Sequence, residues 1–255
     1  MNTAFGEVLK TLLTLDFLGI LAALFLGVLL WFFGGFWALF VMLLFLVISS
    51  VATKYKKHAK IRIGSYEAAR GWKNVAANGA PPLLVLVLRF LLAGPAGGAA
   101  PADPYSAWGV FAYYALTAAF VASVSAITAD KLSSEIGVLD KRSFMLLTLK
   151  KSKPGISGGV SSTGLWVGFA GSLGLSAFGI IYAFWHRIPG FGVSALLVVC
   201  LMVAVSGLLG DVADSVLGYF ENIGIGNKYS SNIACGLVGA LCGFASFAVL
   251  VHYLM

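Results

Sequence analysis

Two aspartates and two glycines fall on one helical face at the end of an apolar run. Gly207, Asp211, Asp214 and Gly218 are spaced i, i+4, i+7 and i+11. Both carboxylates therefore point the same way, and like charges on one face repel unless a cation lies between them. Oxygen ligands of this kind favour Mg²⁺ held jointly with substrate phosphates. We predict a metal site at Asp211, Asp214 and Asn232; the alternative is a cation or proton pathway.

A second acidic segment, residues 129–137, directly follows another apolar run. Asp130 shares a helical stripe with Ser123 and Ile127, so it can point into a helix bundle, whereas Glu135 must turn elsewhere. A carboxylate beside lipid is costly, which favours a functional role over a solvated helix end. We predict catalytic roles for Asp130, Glu135 and Asp214, with Asp130 or Glu135 binding a second ion or orienting the acceptor.

The segment 149–164 combines lysines with a Gly- and Ser-rich turn that opens a helix. Free backbone N–H groups, a positive helix end and mobile ammonium groups suit phosphate, although the Walker pattern is absent. The predicted nucleotide-binding residues here are Lys150, Lys151, Lys153, Gly155, Ser157, Gly158 and Gly159. A flexible basic loop is the alternative. Together with the carboxylates, the segment indicates phosphoryl transfer by positioning and charge neutralisation.

The segment 54–79 has two parts. Its first half is a basic patch suited to anionic lipid headgroups. In its second half Arg70, Lys73 and Asn74 fall on one helical face, and Asn78 precedes a Pro-Pro pair that should break or kink the next span. We predict that Arg70, Lys73 and Asn78 add to the nucleotide site as its roof.

The elements that must position these groups are membrane helices. The chain has 255 residues, 60% hydrophobic and 11% charged, with a mean hydropathy of +0.94, which excludes a soluble globular domain. Seven stretches approach or reach the length that crosses a bilayer as helix: 17–33, 35–53, 76–94, 106–128, 161–185, 191–210 and 232–254. We predict an all-α polytopic membrane helix bundle forming a single domain over 1–255, with a turn at Gly34 and Gly35.

Basic residues set the predicted topology. Of the 17 Lys and Arg residues, seven lie in 54–73 and six in 129–159, so the positive-inside rule places these segments, 211–231 and the amino terminus in the cytoplasm. This distribution accounts for the net charge of +7 without a nucleic-acid partner. Arg89, near an outer helix end, is expected to snorkel to the interface. Glycines in spans five and seven are interpreted as helix-packing surfaces.

The motifs resemble a known family. Segments 130–137, 153–161, 214–218 and 70–79 are similar, in order and spacing, to those of the phytyl-phosphate kinase family of the vitamin E pathway, which includes transmembrane protein 19. The chain departs from that pattern at Lys131, at Ile156-Ser157 and at Tyr219. The resemblance implies transfer of a phosphoryl group from CTP or another nucleoside triphosphate onto an isoprenyl monophosphate. By matched position it implicates Asp130, Glu135, Lys153, Gly155, Gly158, Gly159, Asp214 and Asn232.

The resulting hypothesis is a multi-pass kinase of a plasma or thylakoid-type membrane, using Mg²⁺ and CTP at a cytoplasm-facing site between spans four, five and six. The isoprenyl chain would reach this site sideways from the bilayer. A cytidylyltransferase, a polyprenol kinase and a small cation-coupled transporter are the alternatives. The sequence leaves the donor nucleotide, the length of the prenyl chain and the oligomeric state open.

Overall fold

The computed structural model describes residues 14–67, 69–94, 107–184 and 192–254, and most of these are helical. The helices in these ranges are α1 Phe17–Lys54, α2 Lys57–Arg62, α3 Trp72–Ala93, α4 Ala107–Gly137, α5 Ser162–Phe184, α6 Val193–Glu221 and α7 Lys228–Leu254. Strand β1, Ser143–Met145, pairs antiparallel with β2, Gly159–Ser161. All the helices except α2 are long and apolar enough to cross a membrane. The predicted all-α polytopic fold is confirmed.

Helix α1 is bent back on itself. Gly35 has φ 72° and ψ −176°, outside the helical region. Asp16, just before α1, donates its backbone N–H to the carbonyl of Arg70 at 3.0 Å, and Arg70 Nη1 donates to Ser49 Oγ near the other end at 3.2 Å. A straight helix of 38 residues is about 57 Å long, so its ends could not meet at one residue. The two halves of α1 match the first two predicted spans.

Helix α4 forms the centre of the bundle. In its most apolar window 78% of the residues are buried, the largest share among the membrane-length helices described. Small side chains on α4 let the neighbours approach: a Cβ at Gly239 of α7 would lie 2.6 Å from Ala126 Cβ, and one at Gly210 of α6 would lie 2.5 Å from the same atom. Close approach at small residues drives helix association in lipid. The glycines of span seven are therefore packing positions, as predicted.

Four helices differ in length from the predicted spans, and one of them, α7, begins at Lys228, four residues before its predicted start. α4 continues to Gly137 and α6 to Glu221, because the charged side chains that ended the predicted spans lie against a cavity inside the protein. α3 begins at Trp72 and continues through Pro81 and Pro82, so the predicted break is absent. A Cβ at Gly236 of α7 would lie 2.8 Å from Pro81 Cβ, which shows that α7 leaves room for the proline ring.

Arg89 lies inside the bundle, so the predicted snorkelling is wrong. Its residue is 1% exposed, and Nη1 donates to Thr117 Oγ1 at 3.3 Å. The guanidinium lies over the ring of Tyr113, 5.1 Å from its centroid. The hydroxyl of Thr117, the carbonyl of Phe33 and the aromatic face of Tyr113 therefore contact this cation within the protein.

Candidate functional site

A polar cavity of about 310 Å³ opens at the end of the bundle that carries the basic segments. Helices α3, α4, α5, α6 and α7 and the loop before β2 all contribute to its wall. Asp130, one of its deepest residues, lies seven residues before the end of α4, which corresponds to about 10 Å. The cavity therefore reaches into the membrane-spanning part of the bundle, and it includes more helices than the three that the sequence predicted.

The three predicted aspartates meet in this cavity. Asp130 comes from α4, whereas Asp211 and Asp214 come from α6. The carboxyl groups of Asp130 and Asp214 lie within hydrogen-bonding distance of each other. Asp211 is 2% exposed, and its Oδ2 accepts a hydrogen bond of 2.6 Å from Ser133 Oγ. Helical spacing on two separate helices thus identified acids that the fold brings together.

Gly168 makes this convergence possible. A Cβ at this position of α5 would lie 3.2 Å from Asp211 Oδ2 and 3.0 Å from the carbonyl oxygen of Ala129. The absence of a side chain therefore lets α5 close over the contact between α4 and α6. Any larger residue would push α5 away from the acids.

The donor set suits a divalent cation that is only partly coordinated by protein. Among the described residues, no three His, Cys, Asp or Glu side chains form a complete ion site. Mg²⁺ commonly binds to one or two carboxylates and completes its shell with phosphates and water. The pair Asp130 and Asp214 offers two facing carboxyls, and Asp214 Oδ1 is buried without a hydrogen-bond partner in the part of the chain that the structure describes. Asn232, predicted as a neutral ligand, lines the same cavity.

The charge of the cavity wall also favours a bound cation. The ionisable residues of the wall within the described ranges are Asp130, Asp211, Asp214, Glu221, Lys131 and Lys228. Acids outnumber lysines, so the wall has an excess of negative charge when all groups are ionised. Such a wall repels a free triphosphate and attracts a cation, so a nucleotide would bind best as its magnesium complex.

The glycine loop, residues 155–159, forms one wall and lies directly on α6. Gly158 has φ +75°, and a Cβ there would lie 2.6 Å from the backbone nitrogen of Tyr219. Ser157 Oγ donates to Glu221 Oε2 at 2.6 Å, and Asn222 Nδ2 donates to the Ser157 carbonyl at 2.7 Å. Backbone contact between loop and helix requires the glycine, and the two hydrogen bonds fasten the loop at the cavity rim.

Replacing Gly158 with Ala should therefore lift the glycine loop from α6. Gly224 is a matched control, because it has φ +83° and open space where a Cβ would be added. We expect Gly224→Ala to cost about 1 kcal/mol from backbone strain alone. Gly158→Ala should cost clearly more and should weaken nucleotide binding. Thermal unfolding and nucleotide titration of both variants measure the difference; equal stability and equal binding would contradict the contact.

The structure does not bring the predicted lysines to the cavity. Lys150, Lys151 and Lys153 are exposed on the outer part of the hairpin between β1 and β2, and Lys73 is exposed on α3. The lysines that line the cavity are Lys131 and Lys228. Pairing of Phe144 with Lys151 directs the basic turn away from the glycine loop, and strand pairing of this kind is invisible in local sequence.

Glu135 lies in a buried ion cluster next to the cavity. Its Oε2 is 2.7 Å from Lys60 Nζ, and its Oε1 is 2.6 Å from Arg70 Nη2 and 3.0 Å from Lys131 Nζ. Thr53 Oγ1 donates to the same Oε1 at 2.8 Å. Lys60, expected to face lipid headgroups, is 0% exposed. We call these five residues the Glu135 cluster; it joins α1, α2 and the segment before α3 to α4, and it places Lys131 beside the acids.

Arg70 thus lies in the Glu135 cluster and outside the cavity wall. It precedes α3, which begins at Trp72, so the predicted helical face with Lys73 does not form. Asn74 and Asn78 of the same segment do line the cavity. Of the predicted roof, only its asparagines contact the site.

Among the cavity residues that the sequence did not predict are Lys131, Ser133, Lys228 and Ser231. Three of them lie close in sequence to a predicted residue. Lys131 follows Asp130, Ser133 is one helical turn beyond it, and Ser231 precedes Asn232. Residues three apart on a helix share a surface, so testing position i+3 of each acid would have found Ser133.

Comparison with known proteins agrees with the membrane architecture. Residues 3–250 match the family described as integral membrane protein DUF92. The chain is 26% identical over 238 residues to the uncharacterized membrane protein MJ0933 of Methanocaldococcus jannaschii, covering 92% of this chain and 87% of the relative. No solved structure matches. Because the match extends over nearly the whole chain, this protein belongs to the DUF92 family of integral membrane proteins.

Proposed function

We propose that the protein is a membrane-embedded isoprenyl monophosphate kinase that uses CTP or another nucleoside triphosphate. The observation that carries the proposal is the meeting of Asp130, Asp211 and Asp214 with the glycine loop around one cavity at the basic end. Phosphoryl transfer requires groups that position the phosphates and a cation that neutralises their charge, and it requires little covalent chemistry from the protein. The resemblance to the phytyl-phosphate kinase family supplies the acceptor class.

The residues of the cavity would have different roles in the reaction. Lys131 and Lys228 face the cavity and would neutralise phosphate oxygens. Asp130 and Asp214 would hold Mg²⁺, which, when bound, offsets charge on the transferred phosphoryl group. The N–H groups of Ile156 and Gly159 donate to backbone carbonyls, and the other backbone N–H groups of the glycine loop would orient the triphosphate. The site would face the cytoplasm, where nucleoside triphosphates are present.

The reaction needs no strong general base. An acceptor phosphate oxygen attacks the γ-phosphorus of the triphosphate, and the bond from that phosphorus to the β,γ-bridging oxygen breaks. CDP leaves with the electron pair, and the lipid becomes a diphosphate. The acceptor is already ionised near neutral pH, so the chain must mainly align the two phosphates. The absence of histidine from the described cavity wall fits this requirement.

The depth of the cavity favours an enzyme over a transporter. Its deepest lining residues on α4, α5 and α6 are Asp130, Leu165 and Asp211. Beyond them, buried hydroxyls of α5 bond to carbonyls of α6, as Ser172 Oγ does to Ala204 at 2.9 Å and Ser176 Oγ to Cys200 at 3.0 Å. The described interior is packed there, which supports a one-sided site.

Product analysis tests the proposal. Purified protein in lipid nanodiscs is incubated with Mg²⁺, geranylgeranyl monophosphate and CTP labelled at either the α- or the γ-phosphate. A kinase transfers the γ-label to the lipid and leaves CDP. Transfer of the α-label with release of diphosphate would identify a cytidylyltransferase instead. Reactions without lipid, or with EDTA, are the controls and should yield no labelled lipid.

A further inference from the structure

A second, apolar groove lies beside the polar cavity. It runs between the two halves of α1 and α3, with a volume of about 80 Å³. Its walls are mainly hydrocarbon: Leu26, Leu30, Leu39, Met42, Phe45 and Leu46. The groove is partly open and too small for a helix, and its apolar walls suit part of one hydrocarbon chain.

The groove and the polar cavity share two residues. Asn74 and Asn78 line both spaces, and Asn78 Nδ2 donates to the Asn74 carbonyl at 2.9 Å, which fixes the pair. Ser49 and Arg70 lie at the same end of the groove. The polar end of the groove therefore meets the wall of the cavity, and an amphiphile placed there would have its head among the acids and lysines and its chain in the groove.

Gly27 keeps the groove open. Most glycines of the bundle allow close packing; a Cβ at Gly79, for example, would collide with the side chain of Leu26. At Gly27 a Cβ would meet only Leu39 Cδ1, at 3.5 Å, which is ordinary contact. Helix packing does not explain this glycine, whereas space for a chain between the halves of α1 does.

We propose that this groove binds the single hydrocarbon chain of a lipid whose phosphate head occupies the polar cavity. The placement of the phosphate head depends on the proposed kinase function, whereas the chain site is inferred from the groove alone. The groove spans Leu39 to Ser49 along the second half of α1, or about 15 Å. Leu30, which is 1% exposed, lines the end of the groove that lies away from Ser49.

Photocrosslinking tests the chain site without requiring turnover. The probe is geranylgeranyl monophosphate with a diazirine at the far end of its chain, added to the full protein in nanodiscs. We expect crosslinks at Leu30, Leu39 and Leu43, identified by mass spectrometry and suppressed by unlabelled geranylgeranyl monophosphate. Gly27→Leu fills the groove and should abolish these crosslinks.

Gly174→Leu is the matched control, because this α5 glycine is exposed and has nothing within 4 Å of an added Cβ. It should leave the crosslinks unchanged. Leu43→Trp, at the exposed rim of the groove, is a second filling variant that does not depend on the glycine. Crosslinks spread over all membrane-facing helices, or unchanged in both filling variants, overturn the proposal. Groove crosslinks without lipid diphosphate in the product assay would refute the kinase and retain the chain site.

Discussion

Replacing Asp214 with Asn is expected to abolish phosphoryl transfer while the bundle stays folded. Asp214 faces Asp130, and its buried Oδ1 has no hydrogen-bond partner among the described residues, so this oxygen is available to a cation. The amide keeps the shape of the side chain but removes the charge that binds Mg²⁺. Loss of one such electrostatic group lowers kcat by roughly 10²–10³-fold or more. The labelled-CTP assay in nanodiscs measures the loss.

The same variant should be no less stable than wild type, although it is inactive. The Asn amide can donate to Asp130, and one of two facing buried carboxylates disappears, so the melting temperature without Mg²⁺ should equal or exceed that of wild type. Mg²⁺ should raise the melting temperature of wild type and not of Asp214→Asn. Asp140→Asn is the control, because Asp140 lies at the same end outside the cavity wall. Full activity in Asp214→Asn would exclude the metal role.

Replacing Glu135 with Gln should give the largest loss of stability. Lys60, Arg70 and Lys131 all lie within 3.0 Å of its carboxylate, and Lys60 is fully buried. Removing one partner of a buried ion pair typically costs about 3–5 kcal/mol because the remaining charge is left uncompensated. Thermal unfolding of the purified variant in one detergent should show this destabilisation.

Two further variants separate this effect from a general loss of charge. Glu67, whose side chain is 47% exposed, forms longer pairs of 3.5 Å with Lys228 and with Arg70 of the cluster, and Glu67→Gln should cost less than about 1 kcal/mol. Adding Lys60→Met to Glu135→Gln should recover part of the stability, since it removes the buried ammonium. A Glu135→Gln protein as stable as wild type, yet inactive, would instead support the catalytic role predicted from sequence.

The fold was largely predictable because lipid imposes strong rules on sequence. Long apolar runs can only be helices, and the paired glycines at 34 and 35 marked the turn that folds α1 into a hairpin. The positions where the helices end were harder to predict. α6 continues to Glu221 because its aspartates face a cavity, and local hydropathy cannot distinguish a charge facing protein from one facing solvent.

The site residues that the sequence predicted correctly are those related by the spacing of a single helix. The i, i+3 relation placed Asp211 and Asp214 on one face, and both line the cavity. The positions of the basic groups depend on contacts between distant parts of the chain. Lys60 pairs with Glu135 across 75 positions, and Lys228 reaches the cavity wall from another helix. No local pattern distinguishes these lysines from Lys150, which the hairpin holds outside the cavity.

The central position of α4 has a consequence for biosynthesis. The helices that cover much of it, α5, α6 and α7, follow it in the chain, so a nascent α4 enters the membrane before these partners exist. Its surface of alanines and hydroxyls, with Asp130 and Lys131 near one end, suits protein neighbours better than acyl chains. We therefore expect α4 to integrate stably only if it stays near α3 until the carboxy-terminal half has been translated.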